Sequence, residues 1–523
     1  MSRYSPEEEQ ILLRYFSNTD RPVFAISNLP EIVKGGLFAR YSRTAKDLRR
    51  LFLDEFYDGS DHAVGSIAGD EKAQALYDRI FIEYGDDSVA QLGGAHLAVE
   101  GASNLLTKIL ERPRLAGYLE QSTRYIAYDD KPNGSYRYHT PAELKGELRQ
   151  RYRSEMDAIF DAYSAAARAA MEGYERRFPK QPEDTKLVYT QTIRAKALDL
   201  VRGMLPAATT SNLGIYAAGQ TFESLLLRMN ASPLAEARET AKLMLDELRT
   251  VVPSFMKRID QPNRGVAWSD YLRERRERTA EVAADLLADD KAEDRPLVTL
   301  TDFDPEGEEK IIAAMLYASS NLADDQLRRI AREMSDDERK RLVRAYTGER
   351  ANRRHRPGRA LEATGYRFDV LSDYGAFRDL QRHRILTIEW QTLTPQHGYE
   401  AAPDLDAFGI RGTFDEAMQR SASLHAAIQD QAGAQVAQYA VCMAYRIRYA
   451  MQMNARAAMH LIELRSSPQG HAVYRRVAHE MHRAIAEVHP TIAGLMSHVD
   501  HSDVDLERLE AERRADRRRR GNP

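Results

Sequence analysis

At 523 residues the chain is too long for one ordinary core and calls for at least two. Hydrophobic residues at 43% and charged residues at 29% describe a soluble globular protein, and a formal net charge of −4 exerts no overall pull toward nucleic acid. Cys442 is the single cysteine and lies in the apolar run Tyr439 to Tyr445, which excludes intramolecular disulfides and cysteine-rich zinc sites.

No apolar run approaches a membrane span, so a cytoplasmic protein without a membrane or metal partner is expected. A GxxxxGK loop, an HExxH pair and a GxSxG elbow are all missing, which removes the simplest nucleotide, zinc-protease and hydrolase readings.

Ser5-Pro6-Glu7-Glu8 has the order of a capping box and opens a short helix. Pro22 to Ile26 is a strand candidate, and Pro30-Glu31 starts a helical pattern reaching Ser42. Leu119 to Tyr138 reads as strand, folded into a hairpin by Pro132-Asn133-Gly134. A charged helical stretch from Thr140 to Arg177 follows, with Thr140-Pro141-Ala142-Glu143 as a second capping box.

The opening order of events then returns. Leu297 to Leu300 is a strand, Asp304-Pro305-Glu306 opens a helix and Ala313 to Ser319 closes it. Arg112-Pro113-Arg114 repeats as Arg382-His383-Arg384, and Leu225-Leu226-Leu227-Arg228 as Leu461 to Arg465. The offsets, 270 and 237, differ, so the first copy holds an insertion, placed in the stretch Thr140 to Arg177. Asp289 to Pro296 is polar and proline-terminated, as a linker should be. The expected organisation is a first copy over 1–288, a linker over 289–296, a second copy over 297–505 and a charged, disordered tail over 506–523. The fold class is α+β, mainly helical with an antiparallel sheet in each copy.

In Tyr118-Leu119-Glu120-Gln121-Ser122-Thr123-Arg124-Tyr125 a strand would put Glu120, Ser122 and Arg124 on one face. A carboxylate, a hydroxyl and a guanidinium in a row can read a pyrimidine edge and hold a phosphate, although the same alternation serves a solvated face. Arg382-His383-Arg384 sets two permanent cations around an aromatic ring, which suits an anionic or planar ligand and equally an exposed helix. Arg465 ends an amphipathic pattern from Met453 and could simply snorkel there. Arg514 and Arg517 to Arg520 belong to an alternating acidic and basic tail of the solvated kind, so no nucleic-acid partner is expected.

Taken together, these segments resemble the flavin-dependent thymidylate synthases. That family's signature is Arg-His-Arg, seven residues, then Ser, extended as Glu-x-Ser-x-Arg-Tyr. The first copy has Arg112-Pro113-Arg114 and, at that spacing, Glu120-Gln121-Ser122-Thr123-Arg124-Tyr125. Val201-Arg202-Gly203-Met204-Leu205-Pro206 is similar to the family's Ala-Arg-x-x-Leu-Pro, and Asn454-Ala455-Arg456 with Leu464-Arg465 and Gly470-His471-Ala472 to its later elements. His355 to Glu362 resembles its His-Glu flavin segment, one residue long in spacing. The second copy departs with Trp390, Thr392 and Thr394-Pro395 in place of the substrate motif, and the first with Pro113 for histidine and Ala217 or Ala218 for asparagine. The losses are complementary.

The resemblance implies reductive methylation of dUMP to dTMP with FAD as cofactor and NAD(P)H and methylenetetrahydrofolate as co-substrates. It implies Glu120, Gln121, Ser122, Arg124 and Arg202 at the substrate, joined by Arg382 and Arg465 from the other copy, and a flavin held by Arg382, His383, Arg384 and Asn454 with His355 and Glu362. Because the family's sites are shared among four subunits, a homodimer of tandem chains would mimic that tetramer. The alternative is a catalytically retired flavin- or nucleotide-binding homologue with a regulatory or scaffolding role.

Overall fold

A computed structural model of the chain describes residues 4–41, 44, 46–57, 91–502, 505, 506 and 509–519. Ser42 and Arg520 lie outside them. Two compact units form: residues 1–100, 109–120 and 212–290 make one, and 101–108, 121–211 and 291–523 the other.

In the first unit, α1 (Pro6–Tyr15) begins as its capping box requires, with Ser5 Oγ accepting from Glu8 N and Glu8 Oε2 accepting from Ser5 N. Its Leu12 and Tyr15, with α2 (Glu31–Tyr41) and Leu48, Leu51 and Phe52, enclose a small core. Pro22 to Ile26 is not a strand. Asn18 donates to Val23 O at 3.0 Å and accepts from Arg21 N at 3.1 Å, and these local bonds hold the segment as a loop with one bridge, Phe16 to Ile26. A three-stranded sheet follows in the order β1 (Gly94–Ser103), β3 (Thr210–Ala218), β2 (Ala116–Glu120). The pair β2 and β3 is antiparallel, with Glu120 opposite Leu213.

The second unit holds a four-stranded antiparallel sheet in the order β4 (Val298–Phe303), β5 (Gly365–Asp373), β7 (Arg446–Asn454), β6 (Thr387–Trp390). Alternate residues of β7, namely Ile447, Tyr449, Met451 and Met453, are buried, as period two requires when one face meets a core. Helices α3 (Asn104–Leu110), α4 (Gly146–Arg177), α5 (Lys186–Val201), α6 (Tyr374–Leu380), α7 (Arg411–Ala432), α8 (Ala455–Arg465) and α9 (Ala472–Val488) complete its frame, α3 running past residue 108 into the other unit.

Three expectations for the first copy need correction. Residues after Glu120 form neither strand nor hairpin: Pro132–Gly134 is a single 3-10 turn, because Tyr136 is drawn into the core against Phe160 (ring centroids 5.0 Å apart) and donates its hydroxyl to Asp161. Thr140 does not cap α4, which starts six residues later through Gly146 at φ 49°. The insertion extends further than Thr140 to Arg177. α4 and α5 span 32 and 16 residues, where the second copy has α7 of 22 and a four-residue turn, Ala434–Ala437. The charged tail, expected to be disordered, forms α10 (Leu509–Arg519), whose Arg513 binds Asp184 at 2.7 Å.

Duplication and compactness divide the chain differently, for the second unit contains a seam between the copies. Pro206 bridges Cys442, its counterpart 236 positions on. Ala207 N donates to Val441 O (2.8 Å) and Met443 N to Leu205 O (2.9 Å), while Ala208 N donates to Tyr439 O and Ala444 N to Gly203 O. These are equivalent bonds about a local two-fold. Val441, Cys442 and Met443 are fully buried on this seam. Residues 291–523 expressed alone should therefore expose that apolar strip and aggregate, whereas co-expression with 1–290 should rescue them. A monodisperse, cooperatively melting 291–523 fragment in gel filtration and calorimetry would contradict this.

Candidate functional site

The signature segment of the first copy is a turn rather than a strand face. Ser122 Oγ accepts from Arg124 N at 3.3 Å and Ser122 O from Tyr125 N at 3.2 Å, a local alternative to a sheet ladder that ends β2 at Glu120. Glu120 thus closes a strand of the first unit, while Gln121, which accepts at its carbonyl from Ser211 Oγ, enters the second. Past the turn, Arg124 Nε lies 2.9 Å from Asp199 Oδ1, and its Nη2 donates to Gln469 O at 3.1 Å. Arg202 follows α5 in a one-turn 3-10 segment and is only 3% exposed. Its Nε is 3.4 Å from Asp199 and its Nη1 3.7 Å from Asp379, yet Nε and Nη2 make no hydrogen bond.

The second copy supplies the facing groups. β5 ends on Asp373, whose Oδ1 caps α6 by accepting from Ala376 N at 2.8 Å. Asp379, near the end of α6, is 3.7 Å from Arg382 and 3.9 Å from Arg465. Arg465 Nε donates to His383 Nε2 at 2.9 Å, so the ring's own proton sits on Nδ1. His471 Nδ1 is 3.2 Å from Asp199 and its Nε2 3.9 Å from Asp373 Oδ2. Arg124, Asp199, Arg202, Asp373 and His471 line one cavity of about 360 Å³, whose outer walls include Tyr174, Ala195 and Phe414.

Sequence reasoning named Arg124, Arg202, Arg382 and Arg465 but missed the acids that organise them. Asp199 precedes Arg202, and Asp379 precedes Arg382, by three residues, a helical spacing that could have flagged both. Gly375 was also missed. A Cβ there would lie 2.8 Å from Asp373 Oδ1, closer than the capping carboxyl allows, and 3.4 Å from Arg202 Nη2.

Charge in the cluster is strongly biased. Burial would raise the Asp199 carboxyl, but Arg124, His471 and Arg202 outweigh it and hold it well below the usual carboxylate range. Asp379 is likewise lowered against its burial, by Arg382, Arg202, Arg465 and Arg124. Asp373 goes the other way: burial raises it, and His471 and Arg202 do not compensate. Burial, Arg465 and His460 lower His383, and burial with Arg356, Arg353 and Arg465 lowers His460 to about 4.

The unfolded chain therefore binds more protons than the native one at His383 and His460 below pH about 6.5, and at Asp199 and Asp379 below about 4. Stability should fall as pH drops from about 6.5 toward 4, with only Asp373 acting in the opposite sense. His460→Gln should flatten the upper part of that profile. Urea midpoints measured at steps from pH 7 to 4.5 would reveal a wrong assignment by an unchanged slope.

Arg112 and Arg228 stand at the pseudo-symmetric positions of Arg382 and Arg465, but the counterparts of Arg124, Arg202 and Asp199 carry no charge. Gln438 stands at the place of Arg202, Gln435 at that of Asp199, and Thr392 and Thr394 at those of Ser122 and Arg124. Their polar groups satisfy one another: Leu393 N donates to Gln438 Oε1 and Gln438 Nε2 to Gln435 Oε1, both at 3.0 Å.

The remaining predicted residues are held locally. Asn454 Oδ1 caps α8 by accepting from Ala457 N. Glu362 accepts from Arg359 and Arg456, at 3.0 and 3.1 Å, and His355 bonds within its own loop to Ala351 N and Asn352. Arg384 follows His383 at the end of the triplet and is partly buried.

The family profile described as thymidylate synthase complementing protein matches residues 40–254 and again 299–491. A UPF0159 protein of Chlamydia muridarum is 38% identical over 520 residues, covering 98% of both chains. A flavin-dependent thymidylate synthase of Clostridium tetani is 26% identical over 181 residues, 34% of this chain and 67% of its own. Among solved structures, thymidylate synthase X of Helicobacter pylori with FAD and dUMP aligns with 38% of this chain and 99% of its own at 19% identity and a TM-score of 0.29. No described helix is long and apolar enough to cross a membrane. With two successive matches to one profile and one antiparallel sheet in each copy, this chain belongs to the thymidylate synthase complementing protein family, that of the flavin-dependent thymidylate synthases, as a tandem two-copy member.

Proposed function

We propose that the protein converts dUMP to dTMP, with FAD as redox cofactor, NAD(P)H as reductant and methylenetetrahydrofolate as one-carbon donor, at one site per chain built from both copies. The observation that carries this reading is the charge of the cluster. Arg124, Arg202, Arg382 and Arg465 face two carboxylates of low pKa, Asp199 and Asp379, which leaves about +2 over these six groups, while Glu400 and Asp404 of the cavity wall are paired with Arg446 and Arg476 and with Arg177. The count is the same whether His471 and Asp373 are both neutral or form an ion pair. A phosphomonoester near neutral pH carries about −1.5 to −2 and so matches it.

Within this reading Arg124 and Arg202 of the first copy hold the phosphate, Arg202 through Nη2 and Nε, which make no hydrogen bond within the protein. Ser122, with no histidine beside it in sequence, hydrogen-bonds the ligand rather than attacking it. Gln121 borders the same ligand, and Arg382 and Arg465 approach its base. The mirrored amide cluster of Gln435 and Gln438 offers no cation to a second phosphate.

The donor set at Arg382 and His383 fits a flavin dinucleotide. Burial, then Arg356, Arg353 and Arg465, keep His460 largely neutral, and these arginines with Arg382 give the region a positive potential suited to a pyrophosphate. Arg382, His383 and Arg384 would hold it, with Asn454, His355 and Glu362 at its margins. The flavin supplies the hydride chemistry, while the chain orients the pyrimidine and neutralises the phosphate. A homodimer completes the proposed assembly.

Purified protein supplied with FAD, NADPH, methylenetetrahydrofolate and dUMP should form dTMP, and its gene should let a thymidine-requiring bacterium grow without thymidine. Tight dUMP and flavin binding with neither result would favour the retired homologue, and absence of both binding and turnover would end this reading.

A further inference from the structure

We propose that Asp373 is a ligand-contacting, specificity-determining residue of this site, whose Oδ2 shares one proton with a phosphate oxygen of the bound nucleotide. The inference rests on the reading of the cavity as a phosphomonoester site and adds to it a buried carboxyl oxygen that has no hydrogen-bond partner in the fold.

Three features carry it. Asp373 is 4% exposed and lines the cavity, yet only one of its oxygens has work in the fold: Oδ1 caps α6, whereas Oδ2 has no hydrogen-bond partner. Leaving a buried carboxyl oxygen unpaired is costly unless a ligand completes it. The nearest charged neighbour of Oδ2, His471 Nε2, stands 3.9 Å away, beyond bonding distance but facing the same space. Finally, Asp373 and Arg202 line the same cavity and approach the same glycine, with Asp373 Oδ1 2.8 Å and Arg202 Nη2 3.4 Å from where a Cβ on Gly375 would lie, so an anion on Arg202 would come close to this carboxyl.

Two anions cannot lie in contact there, and a proton between them removes the conflict. The proton remains on Asp373 Oδ2 or on the phosphate oxygen, no other bond changes, and any proton missing from the free partners comes from solvent. Charged and titratable groups around Asp373 include His471, Arg202 and Glu400, with Arg446 opposite it in the ladder and paired with Glu400, and the Tyr449 phenol bonded to neighbouring Ser372. Burial already favours the protonated carboxyl. The first copy has Ser103 at the equivalent position, so this feature belongs to one site only.

The test is calorimetric titration of the full-length protein with dUMP at pH 8, repeated in buffers of different ionisation enthalpy to count protons taken up. Wild type should take up a substantial fraction of one proton per dUMP bound. Asp373→Asn keeps the cap and places an N–H donor at the position of Oδ2, so it should bind dUMP within about threefold of wild type while losing most of that uptake. Asp373→Ser keeps the cap but not the reach, and should bind roughly tenfold more weakly. A proton uptake by Asp373→Asn equal to that of wild type would overturn the proposal, as would wild-type affinity in Asp373→Ser. No dUMP binding by the wild type itself would instead defeat the underlying reading of the site. Unchanged melting temperatures in both variants establish that the fold is intact.

Discussion

Replacing Arg202 by alanine should raise the KM for dUMP by about 10- to 150-fold, the equivalent of one or two charge-assisted hydrogen bonds at about 1.5–3 kcal/mol in total. The residue is buried at the junction of both carboxylates, and its Nε and Nη2 make no hydrogen bond within the protein. Its loss would lower the cluster's charge from about +2 to about +1 and leave Asp199 and Asp379 with weaker compensation. Arg202→Lys keeps the charge but loses the planar fork, so its KM should fall between those of wild type and alanine. Gln438→Ala, at the mirrored position, should leave dUMP kinetics alone. Steady-state kinetics with calorimetric dUMP binding would decide: equal effects at 202 and 438 would mean that both sites operate, and no effect at 202 that the phosphate lies elsewhere.

What the sequence disclosed depended on how local each signal was. The capping box at Ser5 and Glu8, the strand at Val298 and the helix after Pro30 follow from contiguous residues, and the structure has all three. Ser122 and Arg124 were visible as a motif, but the turn that carries them was not. A period-two pattern cannot show that a serine hydroxyl will take the backbone N–H two residues on. Tyr136 was drawn out of its expected strand by Phe160 and Asp161, which belong to a helix beginning ten residues later. Asp373, Gly375 and His471 gain meaning only when β5, α6 and the start of α9 converge, and no spacing along the chain announces that.

The largest loss of stability outside the cavity should follow Glu463→Ala. Glu463 on α8 forms a two-pronged pair with Arg350, at 2.7 and 2.6 Å, and the side chains are 1% and 5% exposed. Arg350 also donates to His355 O and Leu495 O, while Glu463 accepts from His498 N, so the pair ties the loop bearing Arg353, His355 and Arg356 to α8 and to the segment after α9. Removing one partner leaves the other charge buried and should cost about 3–5 kcal/mol, far more than an exposed pair. Glu463→Gln keeps most of the shape and should cost less. The double replacement Arg350→Met with Glu463→Leu should recover much of the loss, because an apolar pair of similar volume avoids the desolvation of two charges. Thermal unfolding of the three variants tests the energetics, and limited proteolysis after Arg353 or Arg354 tests the local consequence: faster cleavage in Glu463→Ala is expected. If the single replacement melted like wild type, the pair would be incidental to the fold. If it melted early while that loop resisted protease, the pair would stabilise the unit without anchoring the arginines assigned to the flavin.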